Sequence, residues 1–455
     1  MTVRSFFLSV GGVLLLLLSV GKAQDASTLS APATPELDVS TNEGGGMDLL
    51  SKLPVHLTLG LDGGYDNNVL NSGGDHSSFF ARGSALLAYD LHGLVTGPFG
   101  APHGAGRSGG RRGAASGNHA AAALHGSLGA GEQPQLDIDA GGDLTYYTGL
   151  RRGKTSDLNI FLDSSGSFNL AQLLTIGGNV YVAYRTEPDF SSNVGVENQR
   201  TNYLSTSDNL SVSYHWSPRV DFVTGDDIQI VQYDKSSLKS QNRFLNTSSE
   251  EVRFNFRPDM TLIGDYRYQI VDYDDSARDS TTHYGLVGVE KSLGPQLKMD
   301  VRGGFTFRSY TQDGDSIDPH IESSVIYEGA HHAVIDWNSS YGIEESNLSL
   351  AATRKTFRTG VNLHYGFSSR ISGSIDGYYH HDEEQFFSPS TTGTGGSGAG
   401  SFSEDAYDVS GSLRYAVKAY LTINLTYQHT ELTSSAQSGR DYSRNRVSAG
   451  IKFIY

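Results

Sequence analysis

Cysteine is missing from all 455 residues of the chain, which also holds only 2 Trp and 4 Met. A chain without cysteine has no disulfide framework, and it cannot carry a lipid on an N-terminal cysteine. Beyond the N-terminus there is also no apolar stretch long enough to span a bilayer as a helix. The sequence therefore excludes a disulfide-stapled domain and a bundle of transmembrane helices.

Positive charge is scarce. The chain has 34 Lys and Arg residues against 50 Asp and Glu residues, which gives a formal net charge of −16. A surface that binds nucleic acid needs clustered Lys and Arg to meet the phosphates. We therefore expect no nucleic-acid partner.

Familiar catalytic signatures are absent as well. The chain has no G-x-S-x-G, H-E-x-x-H or Walker-type motif, and no dinucleotide-binding fingerprint between a strand and a helix. The stretch "HHDEE" (380–384) carries groups that bind divalent cations, but alternate residues of a strand point to opposite faces, so only part of the set converges. Charged clusters usually mark solvated surface, and we interpret this one as a solvated strand end.

Two other polar stretches also predict no site. Asp313, Asp315 and Asp318 in "DGDSID" miss the spacing of a calcium-binding loop. The pair His331 and His332 lies at a predicted tight turn and needs no special role. We therefore predict no catalytic, cofactor-binding or metal-binding residue, and a function other than that of an enzyme.

Residues 1–23 have the composition of an export signal. A positive charge, an apolar run and two small residues precede the predicted cleavage point: Arg4, residues 6–20, Gly21 and Ala23. Cleavage there leaves a mature chain that begins at Gln24. Residues 24–54 are rich in Ser, Thr, Ala and Pro, and we expect a disordered lead-in.

Alternation with a period of two dominates from Val55 onward and predicts β-strands. "LTINLTYQHT" is the clearest case, because its apolar residues share one face and its polar residues the other. The apolar face carries Leu421, Ile423, Leu425 and Tyr427, and the polar face carries Thr422, Asn424, Thr426 and Gln428. Similar runs surround Ile176 and Leu262.

The connections between these runs alternate between tight and long. Tight ones lie at 217–218, 257–259, 294–296 and 367–369, and longer polar ones at 187–198, 273–280, 311–316 and 388–401. Outer-membrane barrels have tight periplasmic turns at one end and longer external loops at the other. Counting the runs over residues 55–455 predicts a transmembrane antiparallel up-and-down β-barrel of about 18 strands, within a range of 16 to 18.

One segment interrupts the pattern. Residues 92–134 are rich in Gly, Ala and His, and strand parity places them on the periplasmic side. Low-complexity composition favours a flexible insertion. The alternative is a segment that folds into the lumen as a partial plug, as in some large barrels.

The chain ends on an alternating run, "VSAGIKFIY", whose apolar face finishes at Tyr455. The run resembles the C-terminal signal that the barrel-assembly machinery recognises in bacterial outer-membrane proteins, although Phe is the usual last residue. A closed barrel also needs its last strand to pair with its first, because an open edge in lipid leaves backbone groups without hydrogen bonds. We therefore expect outer-membrane lipid and the assembly machinery as partners.

The first predicted hairpin resembles the start of a known family. "GYDNNVL" ends the first run with a Gly-Tyr-Asp-x-Asn-Val pattern, and the next run begins with FF-x-R, as in many members of the putative β-barrel porin 2 family. The matching positions are Gly64, Tyr65, Asp66, Asn68, Val69, Phe79, Phe80 and Arg82. We expect Tyr65 at the membrane interface and residues 66–68 at the start of the first external loop. The resemblance implies an outer-membrane barrel, and some family members are associated with exopolysaccharide or capsule production.

The polar faces of the strands predict the function. We expect them to line an aqueous lumen, where charges of both signs tune passage, although each charge could equally serve to pair with its neighbours. The set comprises Arg185, Arg253, Asn255, Asp265, Arg267, Asn424, Gln428 and Lys452. The first hypothesis is a porin-like channel for small solutes or for polysaccharide export. A plugged barrel that binds surface glycan or protein comes second, and an outer-membrane hydrolase third.

Overall fold

A computed structural model describes most of the chain from residue 55 to the C-terminus. The described residues are 55–72, 76–90, 135–150, 155–170, 173–189, 194, 200–311, 315–330, 333–346, 351–386, 401–435 and 440–455. The predictions for residues 1–23, 24–54 and 92–134 lie outside them, as do Asp313, His331 and His332.

Eighteen β-strands, from 11 to 18 residues long, make up most of the described chain. Strands of this length suit a tilted crossing of a bilayer. Their bounds are β1 Val55–Asp66, β2 Ser78–Asp90, β3 Gln135–Tyr147, β4 Ser156–Leu170, β5 Leu174–Arg185, β6 Tyr203–Ser217, β7 Val220–Tyr233, β8 Arg243–Arg257, β9 Met260–Tyr273, β10 Ser280–Ser292, β11 Leu297–Tyr310, β12 Ser316–Glu328, β13 Val334–Glu344, β14 Ala351–Gly366, β15 Ile371–Phe386, β16 Ser401–Lys418, β17 Leu421–Ser434 and β18 Tyr442–Ile454.

The strands close into one antiparallel barrel. Each strand pairs with its neighbours along the chain, and β1 also pairs with β18. At that junction the Leu57 amide donates to the Tyr455 carbonyl over 3.1 Å, and the Tyr455 amide donates back over 2.8 Å. Because the first and last strands pair, the sheet has no free edge, as lipid requires. The predicted all-β barrel and its count of 18 strands are confirmed.

The two ends of the barrel differ as the sequence predicts. At one end the connections are two to five residues long, apart from the one between β2 and β3, which contains residues 92–134. Gly294 has φ +83° in one of these turns, a conformation that glycine adopts without steric cost. At the other end nine loops, here L1 to L9 in chain order, run from five to 17 residues. In barrels of this class the tight turns are periplasmic and the long loops extracellular.

The outer surface is apolar, with aromatic residues near both ends. Leu57, Leu59 and Leu61 point outward from β1, as the alternation predicts. Tyr65 lies at the extracellular end of the same face, with its ring centroid 5.2 Å from that of Phe79. At the opposite end an outward aromatic group packs edge to face, formed by Tyr214, Trp216 and Phe222.

The outer face of β7 and β8 departs from this pattern. Asp226 lies there and accepts hydrogen bonds from Asn246 at 3.1 Å and from Ser248 at 2.8 Å. Thr224 donates to Glu250 over 2.8 Å on the same face. These bonds satisfy part of the hydrogen-bonding capacity of two carboxylates that would otherwise be costly in a lipid-facing position.

Helix is confined to two short 3₁₀ segments among the described residues, Ser236–Gln241 and Ser276–Arg278. In the part of the chain that the structure describes, no helix has the length and apolar character needed to cross a membrane.

Candidate functional site

The inner face of the barrel carries the polar residues that the alternation singled out. Each of them occupies an inward position of its strand, opposite to the exposed apolar residues next to it in sequence. Arg185 reaches Asp189 at 3.0 Å, Asn255 reaches Asp221 at 3.1 Å, and Gln428 reaches Asp408 at 2.9 Å. The predicted luminal face is therefore charged and largely hydrogen-bonded to itself.

Arg267 is the centre of the densest part of this wall. It points inward from β9 and is 1% exposed. One edge of its guanidinium group meets Asp265 at 2.7 Å, and another edge meets Glu322 of β12 at 2.8 Å. His320 lies 2.8 Å from the same Glu322 carboxylate. A cation this deeply buried needs compensation of this kind, because an unpaired buried charge costs several kcal/mol.

Arg302 of β11 continues the network towards β8. It meets Glu251 at 2.7 Å, and Asp265 and Asp300 at 3.0 Å each. Arg253 of β8 extends the network. It meets Glu251 at 2.6 Å and also forms an ion pair with Glu290 of β10. Strands β8 to β12 thus share one continuous ion-pair network.

A second network lies on the inner face of β13 to β15. Arg358 meets Glu344 at 2.8 Å, and Arg354 lies between Glu344 at 3.3 Å and Asp382 at 3.1 Å. In both networks neighbouring strands supply opposite charges at adjacent inward positions. We call the two together the ion-paired wall: Glu251, Arg253, Asp265, Arg267, Glu290, Asp300, Arg302, Glu322, Glu344, Arg354, Arg358 and Asp382.

The "HHDEE" stretch forms part of β15, and its residues separate onto two faces. His380, Asp382 and Glu384 point inward and are at most 2% exposed. His381 and Glu383 point outward, and His381 Nδ1 lies 2.9 Å from Asp405. The prediction that only part of the set converges is confirmed. The interpretation as a solvated strand end is wrong for the inward three, because they are buried, Asp382 pairs with Arg354, and Glu384 accepts from Ser346.

Loop L3, the connection 186–202 between β5 and β6, reaches across the lumen. Its Glu187 carboxylate meets Arg444 at 2.8 Å and Arg446 at 2.5 Å, both inward residues of β18. Five strand spacings, about 24 Å along the wall, separate β5 from β18. The loop therefore contacts β18 through the interior of the barrel.

Asp66 forms ion pairs with the same two arginines and holds them in position for this contact. It is fully buried, 2.5 Å from Arg444 and 3.2 Å from Arg446. Arg446 also donates to the Tyr147 hydroxyl over 2.9 Å. The prediction that Asp66 begins the first loop is wrong, since Asp66 is the last residue of β1.

The electrostatics of this contact favour the ionised carboxylate. Burial by itself would raise the pKa of Glu187, but Arg444 and Arg446 outweigh it and hold the pKa well below its usual value. The backbone is anchored as well, because the Tyr203 hydroxyl donates to the Glu187 carbonyl over 2.8 Å. Farther along the loop, Val194 packs with residues of β6, β7 and L4, in a buried cluster of Val194, Tyr203, Val231, Tyr233 and Leu238.

The first two residues of loop L7 (345–350), Glu345 and Ser346, are held in a similar way. Glu345 accepts from the Tyr273 hydroxyl over 2.8 Å and pairs with Arg308. Burial would raise the pKa of Glu345, and Arg308 more than offsets this, so the pKa is lowered. Ser346 offers its carbonyl to Arg278 at 2.6 Å and its hydroxyl to Glu384 at 3.0 Å. The loop thus connects β9, β11 and β15 on the inside.

Sequence reasoning missed the residues that fix these loops. Glu187 and Glu345 lie in polar connections, which give no periodic signal. The inward arginines Arg444 and Arg446 do alternate along β18, and a pair of cations facing a lumen could have suggested an acidic partner. Which loop supplies that partner depends on the fold.

No group of three or more His, Asp or Glu side chains among the described residues is placed to hold an ion. Of the "DGDSID" aspartates, Asp315 accepts from Ser309 at 2.7 Å and Asp318 pairs with Lys355 at 2.7 Å.

The sequence profile of the family described as "Putative beta-barrel porin 2" matches residues 131–455. The chain belongs to this family. The match begins after the first hairpin, so the family prediction is confirmed on the rest of the barrel and not on the hairpin that suggested it. An outer-membrane β-barrel of the porin type also places the protein in the bacterial outer membrane.

Solved barrels resemble this porin-family chain in fold at low identity. OpdK of Pseudomonas aeruginosa, solved with vanillate, has a TM-score of 0.41 and 11% identity, covering 88% of this chain and 99% of its own. OccAB4 of Acinetobacter baumannii has a TM-score of 0.38 and 11% identity, with coverages of 89% and 99%. The siderophore receptor PirA of Acinetobacter baumannii has a TM-score of 0.39 and 6% identity, with coverages of 89% and 81%. No curated protein sequence matches the chain.

Proposed function

We propose that the protein is a passive channel through which small polar solutes cross the outer membrane. The observation that carries this proposal is the inner face, where charged and polar side chains line all sides of an 18-stranded barrel. Barrels of 16 to 18 strands enclose an aqueous channel, whereas barrels of about eight strands fill their interior with side chains. The family description, a β-barrel porin, supports the same function.

Loops L3 and L7 would set the width of this channel. Both fold inward from the extracellular end, and each is fixed by an acid on buried arginines. A loop held at several points inside the lumen narrows the path and brings its charges close to any passing solute. This narrowing favours small solutes over a polysaccharide chain as cargo.

Single-channel recording in planar bilayers tests the proposal. The purified, folded protein should give discrete conductance steps. Glu187→Gln, which weakens the hold on L3, should give larger steps than the parent protein. A chain that migrates on gels as a folded barrel yet stays electrically silent would contradict the channel.

The connection that contains residues 92–134 decides between an open channel and the plugged alternative. It lies at the tight-turn end, between β2 and β3. Removal of residues 95–130 should leave the conductance of an open channel unchanged. If the deletion converts a silent barrel into a conducting one, the plugged alternative is correct and the intact protein is a closed barrel.

Export and assembly complete the proposal. Residues 1–23 would direct export and be removed, and the final strand ending at Tyr455 would engage the barrel-assembly machinery. The mass of the protein purified from outer membranes should correspond to a chain that begins at Gln24. Deletion of Tyr455 should reduce the amount of assembled barrel, because that residue also closes β18 on β1.

A further inference from the structure

A group of hydrogen-bond donors lies on the inner wall where the barrel closes, near its periplasmic end. Thr422 and Lys452 are directly paired across β17 and β18, and Asn424 is directly paired with Arg414 of β16. Side chains at paired positions have Cβ atoms about 5 Å apart, so these four share one patch of wall. With Arg82 of β2 they form what we call the seam patch: Arg82, Arg414, Thr422, Asn424 and Lys452.

Three donors of the seam patch lack acceptors. The Thr422 hydroxyl and the Asn424 amide nitrogen are buried and have no hydrogen-bond partner, and Thr422 is 1% exposed. Lys452 has no ion pair within 4.0 Å among the described residues. A buried donor without an acceptor costs about 1–3 kcal/mol, so a ligand that supplies acceptors would be stabilised here.

The charge of the patch also favours a ligand that carries acceptors, in particular an anion. Arg82, Arg414 and Lys452 are the cations of the patch, and the acid that acts on Lys452 is Asp62, which Arg82 already holds at 3.3 Å. Asp62, Arg82 and Arg414 are all close enough to act electrostatically on Lys452. The patch thus carries an excess of positive charge inside a chain whose formal net charge is −16.

Two glycines occupy inward positions next to Lys452. The inward position paired with Lys452 on β1 is Gly60. A Cβ on Gly60 would lie 3.6 Å from Lys452 Cγ and 2.4 Å from the Ser84 hydroxyl. A Cβ on Gly450, the next inward position on β18, would lie 2.1 Å from the Asp62 carboxylate. Side chains at these positions would displace Ser84 and Asp62, which border the patch.

We propose that the seam patch is a binding site for carboxylate-bearing anions in the lumen, with Lys452 as its main charge and Thr422 and Asn424 as hydrogen-bond donors. This inference rests on the proposed channel function and names its substrate class. Carboxylate oxygens are strong acceptors, and their hydrogen bonds to charged donors are about twice as strong as those between neutral groups. A passing anion would pause at the patch before it leaves the lumen.

Block of the channel current by citrate, a tricarboxylate, tests this site. Citrate added on the periplasmic side should interrupt the current of the parent channel. In Lys452→Gln the concentration for half-block should rise about fivefold, and in Lys452→Glu further still. Lys291→Gln is the matched control, because Lys291 points outward from β10 at the same end of the barrel. The control should block as the parent does.

Calorimetric titration of citrate into the folded barrel in detergent separates the two proposals. Binding by the parent that is lost in Lys452→Glu supports the site, even for a barrel that passes no current. Conductance with equal citrate block in the parent and Lys452→Glu overturns the site and leaves the channel standing. A parent barrel that binds no citrate also overturns the site, whatever its conductance.

Discussion

The ion-paired wall and the seam patch line the same lumen but treat charge in opposite ways. In the wall, Arg267 and Arg302 each meet two or more carboxylates within 3.0 Å, and the arginines are almost fully covered. In the seam patch, Lys452 is half-buried and has no carboxylate within ion-pair distance among the described residues. Charges that are already paired stabilise one arrangement, whereas the partly exposed and unpaired Lys452 remains available to a solute.

The two regions should therefore respond differently to substitution. A change in the ion-paired groups or in the loop anchors should lower stability and widen the lumen. A change in the seam patch should leave stability nearly constant and alter which ions pass.

Replacement of Arg444 should have the largest effect on stability. Arg444→Met removes a buried cation that meets both Asp66 and Glu187, and it leaves the fully buried Asp66 with one ion-pair partner, Arg446, among the described residues. The loss of one partner from a buried ion pair costs about 3–5 kcal/mol. Thermal unfolding followed by heat-modifiable gel migration should show a clear drop in apparent Tm. Arg219→Met, at an exposed turn, is the control and should unfold as the parent does.

Substitution of the loop acids should release the loops one at a time. Glu187→Gln weakens the charged hydrogen bonds that Arg444 and Arg446 donate to L3, and Glu345→Gln weakens the one that Arg308 donates to L7. We expect a cost of about 2 kcal/mol for each substitution. We expect larger single-channel steps in each variant and still larger steps in the double variant. Equal steps in the parent and the double variant would mean that neither loop narrows the path.

The pH dependence of the L3 contact follows from the lowered pKa of Glu187. A carboxyl whose pKa is lower in the folded state contributes stability above its unfolded pKa, and this contribution disappears as the pH falls through the folded value. Because the usual value is 4.5 and the folded value lies well below it, the difference in step size between the parent and Glu187→Gln should stay constant from pH 7 to 5. Step sizes of the two proteins recorded over this range check the prediction, and a change in their difference near pH 6 would contradict it.

Neutralisation of Lys452 should leave stability almost unchanged. Lys452→Gln removes no ion pair, so the free energy of unfolding should move by about 0.5 kcal/mol or less. The reversal potential in a salt gradient should nevertheless shift towards cation selectivity. A fall in stability comparable to that of Arg444→Met would place Lys452 with the structural charges.

The outward residues of β15 should show the smallest effect. Glu383→Gln changes an exposed group, whereas Glu384→Gln changes a buried group that accepts from Ser346 of L7. We expect no measurable change in Tm or conductance for the first and wider steps for the second. Neighbouring positions thus give an internal comparison between the two faces of one strand.

Period-two alternation was enough to predict the barrel, its strand count and its inward polar residues. Every strand has one face towards lipid and one towards the lumen, so "LTINLTYQHT" carries the full pattern locally. The loop contacts could not be predicted in this way. Glu187 meets Arg444 across an interval of 257 residues, and only the closed barrel brings the two together. The seam patch was missed because its members come from β2, β16, β17 and β18, although Asn424 and Lys452 were among the predicted luminal residues.

The central claim is that L3 and L7, held by ion pairs, narrow an otherwise open lumen. Single-channel conductance of the parent protein beside the Glu187→Gln/Glu345→Gln double variant tests it most directly. The account predicts discrete steps in the parent and larger steps in the double variant at pH 7. Identical steps in the two proteins, or silence in both while the barrels remain folded, would contradict it.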